Sequence, residues 1–247
     1  MMARPVPGLF FPAAAILLLL AVAGPIVAAL FSLSPAEVAG AFNQPQTLDA
    51  VRVSLAASVC ATLAATLLGV PAGYWLSRVP RLYAVPLLFV LALPLAFPPV
   101  ASGILLLSVL KGTPVPDTLA GVAIAQFFVS GSFIAIASAA AFTAADPIYE
   151  DAARTLGVSE WRIFRSIALP AAAGNVLAGV AFAWLRGIGE YGATSIVAYH
   201  PTSLPVALYV ALSASGVRAA LALTYGFVVV ASVVLAVAWI LRRRVVE

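Results

Sequence analysis

Long apolar segments separated by short polar ones dominate this chain. Six apolar stretches stand out, at about residues 9–31, 51–75, 84–110, 119–144, 171–193 and 219–241. Each is longer than about 18 residues, and none alternates between polar and apolar positions, which is typical of membrane-spanning helices and not of barrel strands. The pattern therefore predicts an all-α integral membrane protein with six transmembrane helices.

The composition agrees with one membrane domain. Of the 247 residues, 64% are hydrophobic and 9% are charged, whereas a soluble domain has about 25% charged residues. No polar stretch is long enough for a separate soluble domain, so residues 1–247 are expected to form a single transmembrane domain. A cleaved signal peptide at residues 1–30 is an alternative, but its apolar core would be roughly 7–15 residues long. The longer run here favours an uncleaved first span.

The placement of basic residues predicts the orientation, because cytoplasmic loops are enriched in Arg and Lys. With the N-terminus inside, Arg186 falls within span 5 and the other basic residues divide nine to three in favour of the inner side. The inner set is Arg4, Arg78, Arg81, Arg154, Arg162, Arg165, Arg242, Arg243 and Arg244, and the outer set is Arg52, Lys111 and Arg218. Both termini and the segment 145–170 are therefore expected in the cytoplasm.

The segment 145–170 is the one long polar interruption between spans. Asp146 followed by Pro147 is a helix-start pattern, and Gly157 is a helix-end pattern. Between them an apolar stripe is predicted at positions i, i+4 and i+8, namely Ile148, Ala152 and Leu156. A second short helix is predicted at about 159–167, with Trp161, Phe164 and Ile167 on one side. Two short helices with apolar faces in water suit docking into a groove of another protein.

The same segment carries a spaced motif. Asp151-Ala152-Ala153 is followed after three residues by Gly157, and nine residues later by Ile167-Ala168-Leu169-Pro170. This motif resembles the EAA loop of binding-protein-dependent ABC transporter permeases, in which Glu-Ala-Ala, Gly and Ile-x-Leu-Pro have this spacing. The departure is Asp151 where that family usually has Glu, with Glu150 just before it.

The resemblance implies a coupling helix docked in a cleft of a separate ATPase subunit. The residues that it assigns to coupling are Glu150, Asp151, Ala152, Ala153, Leu156, Gly157, Trp161 and Phe164. It also implies two ATPase subunits, a homodimer of permease copies with the pathway between them, and a periplasmic or lipid-anchored solute-binding protein. The expected location is the cell (inner) membrane of a bacterium or archaeon.

Nucleotide chemistry is expected on the partner and not on this chain. A phosphate-binding loop needs Gly-Lys-Ser/Thr, and the only lysine, Lys111, is followed by Gly112 and Thr113. No cofactor is expected here, and ATP and Mg would act on the ATPase subunit. The residues 187–192 spell GxGxxG, but an apolar helical run precedes them and no acidic residue follows at about 20 positions. A dinucleotide site is therefore rejected.

Span 3 and the end of span 5 are candidates for the translocation pathway. Span 3 carries Pro86, Pro94, Pro98, Pro99 and Gly103, and such breaks persist in lipid only where protein or a wet cavity satisfies the backbone. Span 3 is therefore expected inside the bundle, either as part of the pathway or as a structural kink. Arg186 and Glu190 stand at i and i+4, so they can neutralise each other. They belong either to a gate or to a structural ion pair beside a tight helix contact.

Three further segments resemble the oxyanion branch of these permeases, which includes molybdate, tungstate and sulfate transporters. They are the stretches 189–194 (GEYGAT), 203–209 (SLPVALY) and 93–103 (LPLAFPPVASG). This resemblance implies molybdate or tungstate as substrate, with sulfate or thiosulfate as the alternative. Neutral donors and helix ends suit an anion. The candidate pathway residues are Arg186, Gly189, Glu190, Tyr191, Gly192, Thr194, Pro98, Pro99 and Ser102.

The sequence offers less support for other classes of function. A self-sufficient secondary transporter or channel remains an alternative, although no clear internal repeat and few ionisable residues occur in the spans. An intramembrane enzyme or metal site is disfavoured, since His200 is the only histidine and Cys60 the only cysteine. There is no basic run with interleaved aromatics, so no nucleic-acid partner is expected. The apolar stretch 204–212 is too short to span and is expected to be interfacial or re-entrant.

Overall fold

Helices account for the regular structure of the chain, with no strand among the described residues. The structure is a computed structural model that describes residues 10–246, with side chains described to residue 241. The helices are α1 (Phe10–Leu30), α2 (Pro35–Phe42), α3 (Pro45–Arg78), α4 (Arg81–Ala96), α5 (Pro99–Leu110), α6 (Leu119–Ala144), α7 (Ile148–Thr155), α8 (Glu160–Ile163), α9 (Leu169–Ile188), α10 (Gly192–Val197), α11 (Leu204–Ser215) and α12 (Val217–Val246). A π-helical turn, Phe164–Ala168, joins α8 to α9.

Within the described residues, five helical segments are long and apolar enough to cross a membrane, or six if α4 and α5 form one bent span. This confirms the all-α membrane fold. The predicted spans 1, 2, 4 and 6 fall on α1, α3, α6 and α12. Residue 9 and Arg4 lie outside the described residues, as do the side chains of Arg242, Arg243 and Arg244. As predicted, the stretch 204–212 belongs to a helix, α11, that is too short to span.

Span 3 is broken at its prolines, as the sequence predicted, and it counts as one span only if the bent pair is taken together. Its two halves, α4 and α5, meet at an angle of 107°. Phe97 and Pro98 are extended, with ψ values of 143° and 136°, because each of them precedes a proline whose ring disfavours the helical conformation. The expectation that this span packs inside the bundle holds in the single chain for part of α5, where Ser102 and Gly103 are buried. Only Ala84 of α4 is buried, so most of the bent pair faces outward, towards lipid or another chain.

The second short helix of the polar segment is not separate either. Residues 160–188 form one continuous rod that contains α8, the π-helical turn and α9. The turn lets Leu169 donate its N–H to the carbonyl of Phe164, and Pro170 follows in the first turn of α9, where a missing N–H is tolerated. Span 5 was predicted at 171–193, but its helix ends at Ile188. We call residues 160–188 the rod.

Helices α3, α6 and α9 form the centre of the bundle, and small residues let them approach closely. A Cβ atom placed on Gly73 of α3 would lie 2.6 Å from Ser138 Cβ and 2.7 Å from the Ala135 carbonyl oxygen of α6. Without a strong hydrophobic drive between helices in lipid, such close contact provides the van der Waals packing that holds spans together. The α3–α6 contact is therefore set by backbone approach and not by large side chains.

Helix α2 was not predicted, although the sequence contains its signal. Ser34 accepts the N–H of Glu37, and Glu37 accepts the N–H of Ser34, which is a capping box. The S-x-x-E spacing at 34–37 could have indicated this helix start. Glu37 also contacts Arg218 of α12 at 2.8 Å, and the hydrogen bonds from Arg218 and Ser34 lower the pKa of Glu37 to about 2. Helix α2 thereby joins the start of α12.

Replacing Gly73 by Ala tests the close approach of α3 and α6. The added methyl would meet the α6 backbone, which cannot move without separating the helices, so we expect the free energy of unfolding to fall by about 1–3 kcal/mol. Gly131→Ala is the matched control, since its nearest neighbour is the Phe127 ring at 3.5 Å, an ordinary contact. Thermal unfolding in detergent measures both. Equal melting temperatures for the two variants would contradict this account of the contact.

Candidate functional site

The polar segment folds into a short helix with defined ends. Asp146 Oδ1 accepts the N–H of Ile148 at 3.0 Å, which caps the start of α7. At the other end Gly157 has φ +73°, its N–H donates to the carbonyl of Arg154, and the next N–H, of Val158, donates to that of Ala153. These two bonds form a Schellman motif. The predicted start and end of this helix are thus confirmed to within one or two residues.

One face of α7 is apolar and exposed. Ile148 is 61% exposed and Leu156 is 82% exposed, and Ala152 between them is exposed as well. Trp161 of α8 adds a ring that is 65% exposed. The stripe predicted from the sequence therefore lies on the surface of this chain. An apolar patch on an otherwise polar element marks an interaction site more often than chance exposure does.

The opposite face of α7 carries a buried charge. Glu150 is 1% exposed, and its carboxylate accepts a two-pronged contact from Arg78 at the end of α3, with Nε to Oε2 at 3.0 Å and Nη2 to Oε1 at 2.5 Å. The Tyr74 hydroxyl donates to the same carboxylate at 3.0 Å. Burial acts to raise the pKa of Glu150, but the hydrogen bonds from Arg78 and Tyr74 outweigh it and the pKa is lowered.

A second arginine links α7 to the rod. Arg154 contacts Glu160 through Nε at 2.7 Å and Asp151 through Nη1 at 2.7 Å. It also approaches Glu150 at 3.4 Å. The hydrogen bond from Arg154 lowers the pKa of Glu160. Arg154 therefore fixes α7 relative to the first turn of the rod, while Arg78 fixes α7 relative to α3.

The predicted coupling residues divide into two groups. Asp151, Ala152, Leu156, Gly157 and Trp161 are exposed, whereas Glu150, Ala153 and Phe164 are buried. The placement of Phe164 on the outer face was wrong. Its ring packs 5.0 Å from Tyr74 and 6.1 Å from Phe142, because the π-helical turn carries it into the bundle.

The partners of Glu150 were not predicted. Arg78 entered the sequence prediction only as a basic residue that indicates orientation, and Tyr74 was not singled out. Arg78 ends a span on the predicted inner side, where the segment 145–170 with its carboxylates is also expected. The opposite charges on that side were the available signal. The pairing of Arg78 with Glu150 depends on a contact over 72 residues of sequence, which no local pattern indicates.

The rod ends at a break that we define as residues 189–191. Arg186 Nη1 contacts Glu190 Oε2 at 2.6 Å, so the predicted ion pair forms. The two are not on one helix face, since α9 ends at Ile188 between them. Glu190 is 1% exposed, and its other oxygen accepts the N–H of Ala193 at 3.1 Å. The carboxylate thus joins the end of the rod to the start of α10.

Helix α10 packs between α5 and α6 and gathers most of the predicted pathway residues. A Cβ on Gly192 would lie 2.9 Å from the carbonyl carbon of Pro99, and one on Gly103 would lie 2.9 Å from Ala193 Cα. Ser102 and Thr194 are buried at this junction, and Tyr191 stacks on Tyr209 with ring centroids 4.9 Å apart. Pro98 lies in the bend, and Gly189 caps α9. Helix α9, and not a strand, leads into residues 189–192.

Comparison with known proteins places this arrangement in a family. Residues 65–246 match the family described as the binding-protein-dependent transport system inner membrane component. The chain is 38% identical over 204 residues to a probable molybdenum ABC transporter permease protein of Haloferax volcanii, covering 79% of this chain and 76% of the relative. It is 37% identical over 179 residues to the molybdate/tungstate transport system permease protein WtpB of Thermococcus kodakarensis, covering 72% and 71%.

A sulfate transport system permease protein, CysT of Escherichia coli, is 28% identical over 198 residues, covering 74% of this chain and 70% of the relative. Among solved structures, a bacterial ABC transporter that imports the acidic polysaccharide alginate matches with a TM-score of 0.70 at 16% identity, covering 96% of this chain and 95% of that chain. The same kind of transporter in complex with an alginate pentasaccharide-bound periplasmic protein has a TM-score of 0.70, at 16% identity and with 96% and 94% covered.

An inward-facing MetNI methionine ABC transporter matches with a TM-score of 0.68 at 15% identity, covering 81% of this chain and 96% of that chain. Such low identities establish the fold alone, and that fold is shared by permeases of ABC importers. The match to the family covers most of the chain. The chain therefore belongs to the family of inner membrane components of binding-protein-dependent transport systems, the permease subunits of ABC importers, whose ATPase activity lies on a separate subunit.

Proposed function

We propose that this chain forms the membrane pathway of an ATP-driven importer for molybdate or tungstate. The relatives at 38% and 37% identity carry molybdenum or molybdate/tungstate in their names. The sulfate permease is less similar, at 28% identity, so sulfate or thiosulfate is the second candidate. ATP and Mg act on the partner subunit in this proposal, and the permease supplies the path without performing chemistry.

The observation that carries the coupling role is the two-sided construction of α7. Its outer side is apolar and exposed at Ile148 and Leu156, and its inner side is anchored through Glu150 to Arg78. An apolar face held rigidly on a short helix suits insertion into a cleft of an ATPase subunit. Docking there requires α7 and both termini to lie in the cytoplasm, as the distribution of basic residues predicts.

A conformational change of the ATPase would be transmitted to the spans through two ion pairs. The ion pair of Glu150 and Arg78 connects α7 to α3, and that of Arg154 and Glu160 connects α7 to the rod. The rod runs without interruption to Ile188, so displacement at the cytoplasmic end is carried to the break at 189–191. Rigid elements of this kind transmit coupling between distant sites, and alternating access would follow from the movement of α10 and α5 against α6.

The remaining partners follow from the exposed apolar surface and the family. The bent pair α4–α5 is largely exposed in the single chain, and a second copy of this chain would cover part of that surface and enclose the pathway between the copies. Lipid would cover the rest. A periplasmic or lipid-anchored binding protein would deliver the anion, in a bacterial or archaeal cell membrane.

Reconstitution tests the function directly. The chain, co-purified with its ATPase subunit, is placed in liposomes with the binding protein and offered labelled molybdate, tungstate or sulfate. We expect ATP-dependent uptake of molybdate or tungstate at least about tenfold faster than that of sulfate. A preference for sulfate would transfer the assignment to the second candidate. Uptake that persists without the ATPase subunit would indicate a secondary transporter.

Gly157→Val tests the exposed helix end. A β-branched residue at φ +73° is strained by about 1–2 kcal/mol, which would open the end of α7. Because nothing lies within 4 Å of a Cβ at this position, the strain is in the backbone alone, and Gly157→Asn is the matched control since Asn tolerates this conformation. We expect the Val variant to lose most ATP-driven uptake and subunit co-purification, and the Asn variant to retain both. Equal losses would contradict the backbone explanation.

Glu150→Gln tests the anchor of α7. Removing one charge of a largely buried pair costs roughly 3 kcal/mol, whereas Asp151→Asn breaks an exposed pair worth about 1 kcal/mol or less. We therefore expect the Gln variant to melt lower than the Asn variant and to lose coupling of ATP hydrolysis to uptake. If the two variants behave alike, the buried pair does not anchor the helix.

The pH dependence of stability gives a second check on the same pair. The pKa of Glu150 lies below its usual value near 4.5, so its contribution to stability is present at neutral pH and is lost as the pH falls through the lowered value. The melting temperature of the wild-type protein should therefore be insensitive to this group between about pH 6 and pH 8 and should fall in stronger acid. In Glu150→Gln the acid-dependent component should be smaller, and an identical acid profile would refute this assignment.

A further inference from the structure

Buried polar atoms without a partner converge where α10 meets α5 and α6. Among the side chains of the described residues, the buried atoms without a hydrogen-bond partner belong to Ser102, Gln126, Thr194 and Ser203. Gln126 is the most unusual of them, because neither its Nε2 nor its Oε1 has a partner and the residue is 0% exposed. Leaving such a group buried and unpaired costs free energy, because the amide has lost its hydrogen bonds to water. It was not among the residues singled out from the sequence.

Packing places three of these residues within about one turn of Ala193. Ala125, which precedes Gln126, packs against Ala193 and Val197 of α10. Thr194 directly follows Ala193 and is 0% exposed. Ser102 is 1% exposed, and Ser102 and its neighbour Gly103 are the buried residues of α5. A Cβ on Gly103 would lie 2.9 Å from Ala193 Cα. Ser102, Gln126 and Thr194 are therefore each adjacent in sequence to a residue of the contact between α5, α6 and α10.

The rod, which moves in the proposed mechanism, ends at this junction of α5, α6 and α10. A Cβ on Gly187, in the last turn of the rod, would lie 3.9 Å from Gln126 Cβ. Beyond the rod comes the break at 189–191, where Glu190 binds the N–H of Ala193. A displacement of the rod therefore acts on the contact between α9 and α6 and, through Glu190, on α10.

The chemistry of the group fits a tetrahedral oxyanion. The amide of Gln126 offers two N–H donors, and the hydroxyls of Ser102 and Thr194 offer one donor each. The ionised residues of this junction, Arg186 and Glu190, are paired with each other at 2.6 Å, so neither repels or traps an anion strongly. Neutral donors bind an anion well enough for it to enter and weakly enough for it to leave, which is what a pathway requires.

We propose that Gln126, Thr194 and Ser102 form a transient binding site for the transported oxyanion, covered by α10 in this conformation and exposed when the rod moves. This inference rests on the proposed function. The cost of the unpaired amide in the covered state is recovered when the anion accepts its N–H groups. The site thereby makes the covered conformation easier to leave when substrate is present.

Gln126→Met is the first test, carried out in the reconstituted complex with its ATPase subunit and binding protein. The side chain keeps its length and loses both polar atoms, so we expect a melting temperature that is unchanged or higher and molybdate uptake at least about tenfold slower. Gln126→Glu places a carboxylate in the path of an anion and should slow uptake further. A lower melting temperature for the Met variant would mean a structural amide, and unchanged uptake would mean no contact with the anion. Either result overturns the proposal.

Thiol accessibility is the second test and does not depend on transport by the variant. Cys60, which is exposed, is first replaced by Ser, and Gln126→Cys and Thr194→Cys are then treated with a small anionic methanethiosulfonate. We expect labelling at least about tenfold faster in one of two states, nucleotide-free or ATP-bound with binding protein. Ile134→Cys is the matched control, equally buried on α6 but facing Gly69 of α3, and should stay unlabelled in both states.

The outcomes distinguish failure of the proposed function from failure of the buried binding site. Absence of ATP-dependent oxyanion uptake in the Cys60→Ser parent would defeat the proposed function itself. Normal uptake in that parent, with neither new cysteine labelled in any state, would defeat only the buried site. Labelling of Ile134→Cys along with the others would indicate general loosening of the bundle and would likewise defeat the site.

Discussion

The contact between Arg78 and Glu150 joins the polar segment to the membrane bundle. A carboxylate that is 1% exposed would be costly without a partner, and it is stable here because Arg78 and Tyr74 donate three hydrogen bonds to it. The contact turns one side of α7 towards α3 and leaves Ile148 and Leu156 outside. Without it, α7 would keep its link to the rod through Arg154 but would lose its fixed orientation against α3.

The rod connects the region of the anchored helix α7 to the break at 189–191. A π-helical turn carries the chain from α8 into α9 without an interruption, so the polar segment and a span become one element. The break at 189–191 then ends the element where Glu190 reaches both Arg186 and the N–H of Ala193. Gly189 and Gly192 lie on either side of this carboxylate and its ion pair.

Close backbone contacts occur at two places in the bundle, and these places differ in the polar groups beside them. The α3–α6 contact at Gly73 is tight, with backbone and Cβ atoms of α6 within 3 Å of where a Cβ would stand. The α5–α10 contact is also tight, since a Cβ on Gly103 would lie 2.9 Å from Ala193 Cα. The junction of α5, α6 and α10 additionally buries an amide and two hydroxyls without partners among the described residues. The second place therefore combines close packing with unpaired polar groups, which the proposed oxyanion site would use.

The sequence by itself determined the class of the protein, most of the spans, the ends of α7 and the family. These features depend on local rules, namely the length of apolar runs, capping residues and a spaced motif. Only the tertiary structure decided that Glu150 and Phe164 point inward, that the two halves of span 3 meet at 107°, and that Gln126 is buried without a partner. The pairing of Arg78 with Glu150 over 72 residues and the packing of α10 against α6 depend on which helices come together. Local sequence patterns do not specify these long-range contacts.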